Sequence, residues 1–135
     1  MMTFLRYDKV DYNILITDDD ENCRYSLKNI FEPEGYTTYL ASCGREAVEI
    51  AKRKLLHLLI LDIHLPDFSG FDTFKFIKEE KKGLIPCIFV SADVSKELKL
   101  DAIEANAYTL IPKPINKETI KYVVEQSIEK FYWKR

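Results

Sequence analysis

The sequence is short of most features that mark a secreted, membrane-bound or nucleic-acid-binding protein. It holds three cysteines, Cys23, Cys43 and Cys87. An odd number without metal-ligand spacing excludes a disulfide framework and a thiolate metal site, and reads as free thiols in a reducing compartment. No apolar run approaches the ~20 residues that a bilayer-spanning helix needs, so no membrane partner is expected. Residues 1–11 have no long apolar core and no cleavage signal, which excludes a secretory leader. They read as a loose N-terminal leader to one domain at residues 12–135. The formal net charge is only −2, too little of either sign to draw nucleic acid or anionic lipid. No internal repeat, low-complexity tract or linker is visible. A cytoplasmic protein is the expectation.

What is present is a core. Hydrophobic residues make up 47% of the 135, which excludes a disordered chain and suffices for one domain. The most informative stretch is Leu58-Leu59-Ile60-Leu61-Asp62, followed by Ile63-His64-Leu65-Pro66. A short continuous apolar run bounded by a turn reads as a strand buried on both faces, as in a parallel sheet. It ends in a carboxylate at the carboxyl edge, where open α/β sheets place their ligands. Leu15-Ile16-Thr17-Asp18-Asp19-Asp20 repeats the pattern. Two such strands side by side crowd several acids into one crevice, and like charges that close need a cation among them. We read a divalent metal there, with Asp62 as the chemically active carboxylate.

The rest of the chain alternates between two periods. Strands are expected at residues 12–18, 36–41, 56–62, 85–91 and 108–111. Helices are expected after Asp20, at 45–54, at 71–82, at 95–106 with Leu98, Ala102 and Ile103 facing inward, and from a cap at Asn116 onward. Ile120, Val123, Val124, Ile128 and Phe131 form the core stripe of the last helix. Tyr132 and Trp133 fall off that stripe and read as an exposed partner surface. His57 reads as a partly exposed strand-edge residue, and Arg24 as part of a solvated helix face. Five strands alternating with five helices make a single parallel sheet covered on both faces.

Right-handed crossovers bring all strand ends to one edge. That edge gathers Asp18 and Asp19, Asp62, Ser91 and Lys113: hard oxygen ligands suited to Mg²⁺, a hydroxyl and an ammonium. The group that completes the set most simply is a phosphoryl group on an aspartate.

These residues carry a resemblance. The Asp18-Asp19 pair, Asp62 through Pro66 with Gly70, Ser91-Ala92 and Lys113-Pro114 stand in the order and spacing of the receiver domains of two-component response regulators. The resemblance covers residues 12–131. It implies a flavodoxin-like, doubly wound sheet of order 2-1-3-4-5. It implies that Asp62 accepts a phosphoryl group from a sensor histidine kinase or phosphotransfer domain. Asp19, Asp62 and the His64 backbone carbonyl are then direct Mg²⁺ ligands, Asp18 acts through water, Ser91 and Lys113 contact the phosphoryl oxygens, and the Lys113–Pro114 bond is cis. Such a chain is a signalling receiver that catalyses only its own phosphorylation and dephosphorylation. It is read by an output partner, or by a second copy, through the fourth helix, fifth strand and fifth helix, with no direct contact to nucleic acid. Two departures stand out. Leu110 occupies the family's usual aromatic switch position, and Tyr108, two residues earlier, is expected to face the same way. His64 and Asp93 are expected to flank the pocket, read first as two solvated loop side chains and alternatively as a pair that approaches across its mouth and slows the entry of water.

Two other readings differ in class. One is a Mg²⁺-dependent aspartyl-phosphate phosphatase, which usually carries a second acid two residues after its nucleophile, where this chain has His64. The other is an interaction module that works without phosphorylation, which would be marked by a missing pocket residue.

Overall fold

Each apolar run ends where its charge or turn residues begin. In the computed structural model, which describes residues 12–133, these runs become five strands: β1 (Asn13–Thr17), β2 (Thr37–Ala41), β3 (Leu58–Asp62), β4 (Cys87–Ser91) and β5 (Thr109–Pro112). They pair in parallel in the order β2-β1-β3-β4-β5, as the resemblance implies. The expected leader, residues 1–11, lies outside the described residues.

Five helices alternate with the strands: α1 (Glu21–Phe31), α2 (Gly44–Arg53), α3 (Gly70–Glu80), α4 (Lys96–Glu104) and α5 (Lys117–Tyr132). Local side chains start four of them. Asp20, Ser69, Ser95 and Asn116 each accept a backbone N–H of the first turn, the usual work of such caps. α2 is different: its cap residue, Cys43, makes no side-chain hydrogen bond.

β3 and β4 are buried at every position, because a parallel sheet with helices on both sides leaves no wet face. One apolar layer joins Leu15, Leu59, Leu61 and Phe89 to α2, α3 and Ala102 of α4. The other joins Ile14, Ile16, Ile60 and Val90 to α1 and α5. Full burial of each such side chain contributes roughly 1.5–3 kcal/mol. Phe89 anchors the first layer, with the rings of Phe71 and Phe74 edge-on to it at 4.8 and 5.9 Å. Among the described residues no helix is long and apolar enough to cross a membrane.

Four expectations need correction. Ile103 does not join the core but is 70% exposed, because α4 presents only Ala102 fully to the sheet. Tyr108 does not share a face with Leu110. Leu110 packs on the α2–α4 layer, while Tyr108 packs on α5 with its ring 6.4 Å from Phe131. Alternation begins only at Thr109, and Asn106 just before it has a left-handed φ of 64°. Tyr132 and Trp133 are half-buried rather than a free surface. The Tyr132 hydroxyl donates to the His57 carbonyl at 2.7 Å, and Trp133 Nε1 donates to the Tyr12 hydroxyl at 2.9 Å. The last turn of α5 thus reaches the amino edge of the sheet, where an off-stripe aromatic finds Tyr12 and His57. Finally, Arg24 is half-buried rather than part of a solvated helix face.

Gly70 sits where the chain leaves β3 and turns back into α3. Its N–H donates to the Ile63 carbonyl at 2.7 Å. A Cβ there would press on the Asp62 carbonyl oxygen and lie 2.8 Å from Ile63 Cα. Both obstacles are backbone and cannot rotate away. Gly70→Ala is therefore expected to cost about 3 kcal/mol, the upper end of overpacking. Gly83 has a φ of 101° but open space around it, so Gly83→Ala costs only about 1 kcal/mol of backbone strain. Urea unfolding of the two variants checks the difference.

Candidate functional site

Strand register decides which residues meet. Thr17 pairs with Leu61, which sets Asp18 beside Asp62. Asp62 pairs with Val90, and Ser91 with Pro112. The ends of β1, β3, β4 and β5 therefore reach one edge together, and Lys113 follows directly. Its N–H is held by the Ser91 carbonyl at 2.9 Å, and its peptide bond to Pro114 is cis.

One ammonium bridges two acids at this edge. Lys113 Nζ lies 2.7 Å from Asp18 Oδ2 and 2.8 Å from Asp62 Oδ2. Asp18 and Asp62 are buried, Asp19 is exposed, and Ser91 is fully buried. Asp62 Oδ1 accepts the His64 N–H at 3.0 Å, and Asp18 Oδ1 accepts that of Asp20 at 2.9 Å. Ser91 Oγ accepts the Asp93 N–H at 3.1 Å. Burial pushes the Asp62 carboxyl upward, with the Asp18 charge adding to it, against the opposing pull of Lys113 and the His64 N–H. Burial alone would lower the Lys113 ammonium, but its bonds to the two acids outweigh that and hold it above the usual lysine value.

Whether the residues fit a cation can be read from this charge balance. Asp18, Asp19 and Asp62 each offer a carboxylate oxygen, all within 4.8 Å of one another. Asp18 Oδ2 is buried and, apart from its ion pair with Lys113, accepts no hydrogen bond. Two of the three carboxylates share one ammonium and Asp19 stands beside them without it, and hard oxygen donors at that spacing suit a small divalent cation.

Of the residues expected at the site, Asp18, Asp19, Asp62, Ser91 and Lys113 are brought to one edge. The His64 backbone is tied to Asp62, but its side chain is exposed, as is that of Asp93. No ion pair joins His64 to Asp93 among the described residues, which agrees with the reading of two solvated loop side chains rather than a closed pocket mouth.

Two contributors, Arg24 and Asp67, escaped the sequence reading, while Cys23 is the half-buried free thiol it was expected to be. Arg24 Nη1 donates to the Asp18 carbonyl at 2.7 Å and so holds the end of β1. Cys23 lies nearby, and burial together with Asp18 pushes its thiol up to about 12, which leaves it unreactive at neutral pH. Asp67 tethers the loop after β3. Its carboxylate accepts the N–H groups of Gly44, Arg45 and Phe68, each at 2.8 Å. Although desolvation works the other way, these bonds lower its pKa to about 2. Only the acid after Pro66 was visible in sequence, and a polar loop residue carries no signal of a distant partner.

Comparison with known proteins agrees with this geometry. The response regulator receiver domain family matches residues 14–125. The transcriptional regulatory protein ZraR of Escherichia coli O157:H7 is 27% identical over 124 residues. That match covers 92% of this chain but 27% of the length of ZraR. A CheY-like response regulator receiver domain protein from Methanospirillum hungatei superposes with a TM-score of 0.83 at 28% identity, covering 88% of this chain and 94% of that one. The non-phosphorylated HemR receiver domain from Leptospira biflexa superposes with a TM-score of 0.80 at 30% identity, covering 87% and 94%. Since the family match runs from the first strand well into the last helix, and the sheet order and the cluster of strand-end acids agree with it, this chain belongs to the response regulator receiver domain family and is a receiver domain of two-component signalling.

Proposed function

We propose that Asp62 is the phosphoryl acceptor and that the other strand-end residues serve its reaction. The donor is a phosphohistidine on a sensor kinase or phosphotransfer domain. The phosphorus–nitrogen bond of the donor breaks, a bond forms from phosphorus to an Asp62 carboxylate oxygen, and the imidazole leaves. Asp19, Asp62 and the His64 carbonyl would hold Mg²⁺ directly, and Asp18 would act on it through water. Mg²⁺ supplies neutralising charge at the phosphoryl oxygens when bound. Lys113 pairs with one phosphoryl oxygen, and the Ser91 hydroxyl donates to another. The protein's contribution is positioning plus electrostatic stabilisation.

The observation that carries this reading is the single ammonium of Lys113 across Asp18 and Asp62. A cation held 2.8 Å from the acceptor oxygen is already where a transferred phosphoryl group develops charge.

The response is a shift between two arrangements of the nearby surface. Ser91 begins the segment leading to α4, which contributes only Ala102 fully to the core. Leu100 and Ile103 on α4 are exposed, as is Tyr122 on α5. A helix with so few buried contacts shifts at low cost. A partner, or a second copy of this chain, reads the α4–β5–α5 face. With Leu110 in place of an aromatic residue, the moving side chain is smaller and its change in exposed area is smaller too.

The test is phosphoryl uptake from acetyl phosphate, followed by intact mass. One phosphoryl group is expected per chain in Mg²⁺ and none in excess EDTA, with peptide mapping placing it on Asp62. Uptake that ignores EDTA, or that maps to His57 or His64, overturns the reading.

A further inference from the structure

We propose that Asp67 is a positioning residue: by capping α2 from the loop after β3, it holds the His64 backbone where a divalent cation meets the acids. The inference rests on the metal reading above and concerns a residue with no part in the charge cluster itself.

A helix start leaves four N–H groups without partners inside the helix. Each of the other four helices has one of these taken by its cap side chain, but Cys43 offers α2 nothing. Its missing acceptor comes from another part of the chain. Asp67 Oδ1 takes the Gly44 N–H and Oδ2 takes the Arg45 N–H, each at 2.8 Å and across 23 and 22 residues of sequence. Both oxygens of one carboxylate are engaged, so the side chain is held in orientation as well as position. A carboxylate also suits the positive end of the helix dipole.

The contact is close on both sides. A Cβ on Gly44 would lie 2.5 Å from Thr73 Oγ1 and 2.7 Å from Phe68 Cδ2. Glycine at that point lets α2 rest directly on the loop. Thr73 in turn donates to the Ser69 carbonyl at 2.9 Å.

The loop is therefore fixed at two places. At its base, Gly70 donates to the Ile63 carbonyl and His64 bridges to Ser69. At its tip, Asp67 fastens it to α2. His64 sits in the part of the loop nearest the acids, with its N–H on Asp62 Oδ1. Without the Asp67 tether, the tip of the loop keeps only the packing of Phe68 on Phe76, with ring centroids 5.2 Å apart, and the His64 carbonyl loses part of its orientation. Outer groups that orient a ligand commonly change metal affinity by 10–100-fold when removed.

A control separates positioning from helix stability. Glu46 Oε1 accepts the N–H of Ser42 at 2.7 Å and so steadies the same end of α2 without touching the loop. Mg²⁺ binding by calorimetry, on the full chain without a phosphoryl donor, reads the ligand set directly. Asp67→Ala is expected to weaken Mg²⁺ binding about tenfold, Asp67→Asn less, and Glu46→Ala not at all. Amide exchange should speed up at residues 65–68 in Asp67→Ala only. Equal Mg²⁺ affinity in the parent and in Asp67→Ala overturns this inference and leaves the metal reading standing. Absence of Mg²⁺ binding in the parent overturns both.

Discussion

Asp62→Asn is expected to abolish phosphoryl uptake while leaving the fold intact. The amide is nearly the same size as the carboxylate and can still accept the His64 N–H, but it is not a nucleophile toward phosphorus. The stability consequence has a definite sign. Burial raises the Asp62 carboxyl in the folded chain. A group whose folded pKa lies above its unfolded one stabilises fully below the unfolded value, and that contribution is lost as pH rises through the folded value. Without metal, the parent should therefore lose ground to Asp62→Asn from about pH 4 upward, where free aspartate begins to ionise. Melting curves in EDTA across the acid-to-neutral range read this, alongside intact mass after acetyl phosphate. Residual phosphorylation of the variant would sink the assignment of Asp62. A stability difference that does not change with pH would remove the electrostatic account of the pocket.

Lys113→Met is expected to give the largest loss of stability among single changes at the site. Methionine keeps most of the stem and removes the charge. Asp18 and Asp62 then face each other buried with no cation, and breaking such a buried pair costs about 3–5 kcal/mol. That is a large share of the roughly 5–15 kcal/mol that holds a domain folded. In the parent, the raised Lys113 pKa means its contribution is complete at neutral pH and fades only as pH climbs past the ordinary lysine value. In the variant the Asp62 carboxyl loses the downward pull of Lys113, so the deficit should shrink as pH falls below about 5 and protons replace the missing charge. Mg²⁺ should also restore stability, and more so than in the parent, because a cation that binds only the folded state stabilises it by mass action. Thermal unfolding at two pH values, with and without Mg²⁺, checks all three. A loss that neither acid nor Mg²⁺ reduces would mean that Lys113 acts through packing alone.

Both predictions concern residues legible in the sequence, and for one reason. Asp18, Asp19, Asp62, Ser91 and Lys113 each stand at the end of an apolar run. In a parallel sheet the end of a run is a place, since crossovers return every strand in the same direction. Run length and terminal residue type therefore specify position without coordinates. The same holds for the caps Asp20 and Asn116, whose partners lie within one turn.

The misread residues depend on relations no local pattern carries. Tyr132 and Trp133 fall off the helical stripe and looked exposed, yet the length of α5 carries them to Tyr12 and His57 at the far edge of the sheet. Tyr108 lies just before the alternation of β5, which starts at Thr109, and so packs on the α5 side. Arg24 and Asp67 are ordinary polar residues in sequence. One holds a strand end, and the other caps a helix more than twenty residues away.

Burial pattern and chain direction are local properties that add along the chain, so the layered architecture and the residues standing at its carboxyl edge were legible without coordinates. Tertiary structure alone decided which loop steadies which helix, which aromatic residues close the opposite edge, and how one lysine divides itself between two acids. Those outcomes turn on register and on separations of a few ångströms between distant segments, and such distances exist only once the strands have paired.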